Sequence, residues 1–145
     1  MKRRKSREYA LQILFSMENG LGIAEENLSS TLERFIHNFS PDNVEEISDV
    51  PFLRRLLAGI QTELTSLDAD IEKYSDNWKL YRMTKIDRNI LRIGAIELKL
   101  FVDIPPKVTI DECVELGKKY GADDSSSFIN GVLDKIRLSI GREAS

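Results

Sequence analysis

Along nearly the whole chain the apolar residues fall three and four positions apart, and no segment alternates apolar and polar residues at period two. That rhythm turns one face of a 3.6-residue helix toward a core and leaves no half-buried strand, so an all-α fold is predicted. From about Ser6 to Asn19, Ala10, Leu14, Met17 and Leu21 mark such a face, with Leu11 and Phe15 widening it, and Gly20 and Gly22 end it. A second helix is predicted from about Glu25 to Phe39, burying Leu28, Leu32, Phe35, Ile36 and Phe39. Ser40, Pro41 and Asn43 read as the start of a short third helix, a serine cap followed by proline at the first helical position.

Pro51 restarts the chain, and Leu53, Leu56, Leu57, Ile60, Leu64, Leu67 and Ile71 predict one long helix from Phe52 to about Tyr74. Thr84, with Asp87 three residues on, is a start signal for the next. Ile86, Ile90, Ile93, Gly94 and Phe101 form its buried side, and Arg88, Arg92 and Lys99 the opposite stripe. After Pro105 and Pro106, Thr109 and Glu112 read as a capping box, with Val108 and Cys113 as its hydrophobic staple. Gly121 closes that helix. Asp123 and Asp124 open the last, whose expected buried face is Ile129, Val132, Leu133, Ile136 and Ile140. The count is about seven helices in a single domain of residues 1–145, split near Trp78 into halves of about 1–77 and 78–145, with no repeat.

Composition narrows the function classes. A chain of 145 residues, 41% of them hydrophobic, buries one substantial core or two small ones. Cys113 and His37 are the only residues of their kinds, which excludes an internal disulfide and a Cys/His zinc cluster. The same scarcity leaves nucleophile-and-base catalysis little to work with. Gly20 and Gly22 do not continue into G-x-G-x-x-G, and Gly117-Lys118 lacks the upstream glycine of a phosphate loop, so neither a cofactor nor a metal is expected. Asp68 and Asp70, two apart on a helix, point in different directions. No stretch reaches the roughly 20 apolar residues of a membrane span, and Glu8, Gln12, Glu18 and Asn19 interrupt any leader-like run. A reducing cytoplasm is the expected location.

The formal net charge of −3 conceals an asymmetry: Lys2, Arg3, Arg4, Lys5 and Arg7 crowd the start. Such a cluster is either a solvated tail or a docking point for phosphates. Its lead into a helix with Tyr9, Gln12 and Phe15 favours the second, because an aromatic beside cations is how single-stranded bases are held. Of the two rings, Phe15 fits the core and Tyr9 is less committed. Phe128, at the edge of its helix's apolar face, suits either packing or stacking on a base, and Arg92 and Lys99 suit either phosphate contact or simple solvation. Glu97 falls inside an apolar stripe and must find partners, as a structural acceptor or, on the sharper reading, as a catalytic acid.

With these residues in view, the chain resembles the NusB family of bacterial transcription antitermination factors over nearly its whole length. The run Phe128-Ile129-Asn130-Gly131-Val132-Leu133-Asp134-Lys135 is similar to the family's F-V-N-G-V-L-D signature, with Ile for Val. The basic start into Leu11-Gln12-Ile13-Leu14-Phe15, the stretch from Phe52 to Gly59, Ile90-Leu91-Arg92-Ile93 with Glu97-Leu98, and Pro106-Lys107-Val108 before Ile110-Asp111-Glu112 follow in the family's order and spacing. Asp111 stands where Asn is usual. Phe15 stands where Tyr is common, which limits it to stacking. Some RNA cytosine methyltransferases carry the same helical domain ahead of a catalytic one, for which the residues up to Ser145 leave no room.

The resemblance implies two packed three-helix subdomains, no enzymatic activity, and a heterodimer with the ribosomal protein that acts as NusE. The pair would bind the boxA element of nascent single-stranded RNA and join the elongating RNA polymerase complex with other Nus factors, suppressing premature termination, chiefly in ribosomal RNA operons. By position, Lys2, Arg3, Arg4, Lys5, Arg7, Phe15, Arg92, Asp124 and Phe128 resemble RNA-side residues, and Tyr81 and Asp87 partner-side ones. Asp124 repels phosphates, so its place there suggests tuning of affinity or acceptance from a base amino group. A protein-interaction module independent of RNA, or an accessory subunit of an RNA-modifying enzyme, are the alternatives. Whether the free protein is a monomer or a homodimer stays open.

Overall fold

A computed structural model describes residues 2–38 and 44–143. Among them are eight α-helices and no strand: α1 (Lys2–Asn19), α2 (Leu28–Asn38), α3 (Val44–Ile47), α4 (Val50–Thr62), α5 (Leu64–Tyr74), α6 (Lys85–Leu100), α7 (Pro106–Tyr120) and α8 (Ser125–Ser139). A 3₁₀ turn, Leu80–Arg82, precedes α6. The chain divides into two compact units, Met1–Leu64 and Thr65–Ser145.

In the first unit α1 packs on α2, α3 and α4. Its start lies four residues earlier than periodicity predicts, because the cations Lys2 to Lys5 are helical too and carry no apolar mark. Gly22, at φ 102°, closes the helix by donating its N–H to the Met17 carbonyl, and no L side chain sits comfortably there. Asn27 caps α2, its side-chain oxygen accepting the Ser30 N–H at 3.0 Å. Residues 39–43, including Phe39 and the predicted Ser40-Pro41 cap, lie outside the described residues. Asp49 caps α4 by accepting the Phe52 N–H at 3.0 Å, with Pro51 in the first turn. Ile13, Leu14, Met17, Leu32, Leu53, Leu56, Leu57 and Ile60 are all fully buried. The long helix expected from Phe52 to Tyr74 is broken at Glu63, whose φ of −103° and ψ of 17° leave the helical range. The apolar spacing runs across this break undisturbed, so periodicity alone does not reveal it.

The second unit is built around α6, on which α7 and α8 pack while also packing on each other. Thr84 caps α6 as predicted, accepting the Asp87 N–H at 3.1 Å. Every residue from Asn89 to Leu98 is buried. Gly94 permits this: a Cβ there would stand 2.6 Å from Leu133 Cδ1 and 3.1 Å from Cys113 Sγ. The capping box predicted at Thr109 does not form, because α7 begins at Pro106 and the Thr109 hydroxyl points into the core. Val108 is exposed, so the staple is absent, and only Cys113 is buried as expected. Ile140, assigned to the buried face of α8, is instead exposed beyond its last turn.

Candidate nucleic-acid interface

The start of α1 is fastened to the start of α4 by a two-way bond. Ser6 Oγ donates to the Asp49 carbonyl and accepts the Asp49 N–H, both at 2.8 Å. Arg3 Nε lies 3.6 Å from Asp49 Oδ2. The Phe52 ring takes both the Arg3 guanidinium, 4.6 Å from its centroid, and that of Arg7, at 5.1 Å. Arg7 is only 3% exposed, a correction to its place in an open basic cluster. At 100° per residue, position 7 shares a side of α1 with Ala10 and Leu14, the side that faces inward. Lys2 and Arg4 are exposed. Lys5 is half-buried, with its Nζ 3.5 Å from Glu8 Oε1 and over the Tyr9 ring.

Lys2 also lines an open groove of about 1010 Å³ together with Arg54, Arg55, Ser48, Asp49 and Glu45. Sequence reasoning missed the two arginines, both exposed on α4. Their signal was an adjacent cationic pair on the polar side of a helix that buries Leu53, Leu56, Leu57 and Ile60.

The two aromatics of α1 exchange their expected roles. Tyr9 is buried, packed edge-on against Phe35 with centroids 5.1 Å apart, while Phe15 is 37% exposed. Tyr9 lies one turn before the buried Ile13, and Phe15 lies on the far side of the helix with Gln12, Ser16 and Asn19.

In the second unit, the cationic stripe of α6 is engaged. Arg92 is 6% exposed and grips Asp68 on α5 with two hydrogen bonds, Nε to Oδ1 at 2.8 Å and Nη2 to Oδ2 at 3.0 Å. Its Nη1 donates to Asn89 Oδ1 at 2.8 Å. Lys99 pairs with Asp70 and Ser66, and Arg88 donates to the Leu80 and Met83 carbonyls. All three cations have partners, on α5 or in and just after the 3₁₀ turn. Arg92 is therefore not the open side chain that either phosphate contact or simple solvation calls for.

Asp124 is exposed at the start of α8 and makes no capping bond with its side chain; Ser125 Oγ accepts the Ala122 N–H there at 2.9 Å. Phe128 stands one turn further on, half-buried, its N–H donated to the Asp124 carbonyl at 3.1 Å. An acidic side chain and an aromatic edge thus share the first turns of one helix. Tyr81 is 76% exposed with Arg82 over its ring at 5.8 Å, and Trp78 is exposed nearby in sequence. Asp87 is half-exposed, yet its Oδ1 is shut off from water and finds no donor among the described residues.

Glu97 is fully buried and accepts the Thr109 hydroxyl at 2.8 Å, which fits the structural-acceptor reading. Among the described residues no three His, Cys, Asp or Glu side chains are grouped to hold a metal ion. No described helix is long and apolar enough to cross a membrane.

The NusB family model matches residues 4–137. The transcription antitermination protein NusB of Myxococcus xanthus is 41% identical over 140 residues, covering 97% of each chain. The solved structure of T. maritima NusB superposes with a TM-score of 0.78 at 35% identity, over 95% of this chain and 92% of that one. A crystal structure of NusB and NusE in complex with dsRNA shares the fold at 24% identity, with a TM-score of 0.73 over 94% of this chain and 96% of that one.

Proposed function

The chain belongs to the NusB family, and from that premise we propose that it is a transcription antitermination factor that binds the boxA element of nascent RNA together with ribosomal protein NusE. On this reading the pair joins the elongating RNA polymerase and suppresses premature termination, chiefly in ribosomal RNA operons, from within the cytoplasm. The observation that carries it is the first turn of α1: Lys2, Arg3, Arg4 and Lys5 are held in helical register at the positive end of the helix dipole. That turn itself contains no acidic residue, and Lys2, Arg3 and Arg4 are exposed on it. A fold neighbour solved with NusE and dsRNA supports the same pair of partners here.

The roles divide by chemistry. Lys2, Arg3, Arg4 and Lys5 engage phosphates, Arg3 while also held by Phe52 and Asp49, and Lys5 while also held by Glu8. Phe15 and Phe128 offer ring faces to bases, and Asp124 accepts from a base amino group or holds affinity down. Arg7 and Arg92 act from behind, by fixing α1 and α5. Tyr81 and Asp87 face the protein partner: an exposed phenol suits an interface anchor, and the half-exposed Asp87 carboxylate adds an acceptor.

Each phosphate neutralised on single-stranded RNA steepens the salt dependence by about 0.7. Replacing Lys2, Arg3, Arg4 and Lys5 with Gln is expected to weaken binding of a boxA-type RNA and to flatten that slope by about 2. A titration with and without the ribosomal partner at two salt concentrations checks it. Affinity and slope both unchanged would refute the reading.

A further inference from the structure

One wall of the groove beside the first turn of α1 is a single stripe of α4. Pro51, Arg54, Arg55 and Ala58 line it at steps of three and four residues, on the face turned away from the buried Leu53, Leu56 and Ile60. Both arginines are exposed. Lys2 lines the groove from α1 and Glu45 from α3, with Asp49 between α3 and α4. Asp49 is already engaged: one carboxylate oxygen accepts the Phe52 N–H at 3.0 Å and the other lies 3.6 Å from Arg3 Nε. Three cations therefore face one uncommitted acid, in a chain whose formal net charge is −3.

We infer that this groove takes the sugar-phosphate backbone of nucleotides flanking the recognised RNA element, with Arg54 and Arg55 as its phosphate contacts. The inference rests on the RNA-binding reading above and adds α4 to the surface that performs it. The chemistry selects backbone over base. Among the described residues that line the groove there is no aromatic ring to stack on and no carboxamide to read a base edge. Ser48 is buried, and its hydroxyl is donated to the Val44 carbonyl. What remains is two guanidinium forks and an ammonium group, which match phosphate oxygens and carry no sequence information.

Continuity points to the flank. Arg3 and Ser6 contact the start of α4, whereas Arg4 lies about 100° further round α1, on the side that carries Phe15. The cations of the first turn thus face both ways around the tip of the helix. A strand whose bases meet Phe15 and whose phosphates meet Arg4 leaves that side across the tip, past Lys2, and enters the groove. Bases are read on one side of α1, and on the other only charge is offered.

The test titrates the full-length protein with its ribosomal partner against a minimal boxA-type RNA and against the same RNA carrying a short uridine flank on either end in turn. One flank is expected to tighten binding severalfold and to steepen the salt slope by about 1.4, the equivalent of two neutralised phosphates. The double variant Arg54→Gln, Arg55→Gln should lose both increments yet bind the minimal RNA as the unmutated protein does. Each single variant should lose about half of the slope increment. Glu45→Gln should bind the flanked RNA more tightly, and a cytidine flank should serve as well as uridine. Thermal midpoints matching the unmutated protein would show that folding is not the cause.

A minimal RNA that binds while neither flank adds affinity would overturn the groove and leave the RNA-binding reading standing. No binding of the minimal RNA by the unmutated protein would fell the reading itself. The inference is also overturned by a double variant that keeps the increment, by an equal loss on minimal and flanked RNA, or by an increment that cytidine abolishes. A loss confined to binding of the ribosomal partner without RNA would make the groove a protein interface instead.

Discussion

Glu97 and Thr109 are joined in the core by a bond that neither sequence spacing nor helix periodicity brings together. Replacing Thr109 with Val keeps the shape and removes the donor, so the buried carboxylate loses a hydrogen bond it needs. The expected cost is about 1–3 kcal/mol, read as a lower urea midpoint with an unchanged slope. Arg92 gives a second residue-scale test. Lysine at that position keeps the charge but cannot make the two-pronged grip on Asp68. Arg92→Lys is therefore expected to lower stability by about 2 kcal/mol or more while leaving the salt slope of RNA binding as it was. A changed slope with unchanged stability would return Arg92 to the phosphate-binding set. Residue identity announced that Glu97 needed partners. It did not say that the partner would be a hydroxyl twelve positions on, taken from a threonine that looked like a helix cap.

At the scale of elements, two glycines within helices predict opposite outcomes for the same change. Gly131 on α8 has open space where a Cβ would go, so Gly131→Ala is expected to stabilise by about 0.5–1 kcal/mol through helix propensity alone. Gly94 on α6 faces Leu133 and Cys113 at closer than contact distance, and Leu133 is itself fully buried with little room to yield. Gly94→Ala is expected to cost about 1–3 kcal/mol, and paired thermal melts would show midpoints moving in opposite directions. The positions of α1, α2, α4, α6, α7 and α8 were legible from apolar spacing, and the Thr84 cap from its motif. Element ends were less so. The basic first turn of α1 lacks apolar residues, and the break at Glu63 is a matter of dihedral angles that leaves the hydrophobic register intact.

For the whole molecule, binding should be visible as stability. RNA that binds the folded chain alone raises the unfolding free energy by about 2.7 kcal/mol at a hundredfold excess over Kd. A boxA-type RNA is thus expected to raise the thermal midpoint at low salt and to lose that effect at high salt, as released counterions no longer favour binding. A midpoint raised equally at both salts would argue against phosphate contacts. By itself the sequence determined the helical class, the family and the whereabouts of the charged and aromatic residues, because periodicity, motif order and side-chain chemistry are properties of the chain taken a few residues at a time. Only the tertiary structure decided that Arg7 and Arg92 turn inward, that Tyr9 is core while Phe15 is partly exposed, and that Arg54 and Arg55 join Lys2 around one groove. Those outcomes depend on which carboxylate or ring a distant segment brings within reach. A cation's exposure is settled by that partner, and local sequence carries no record of it.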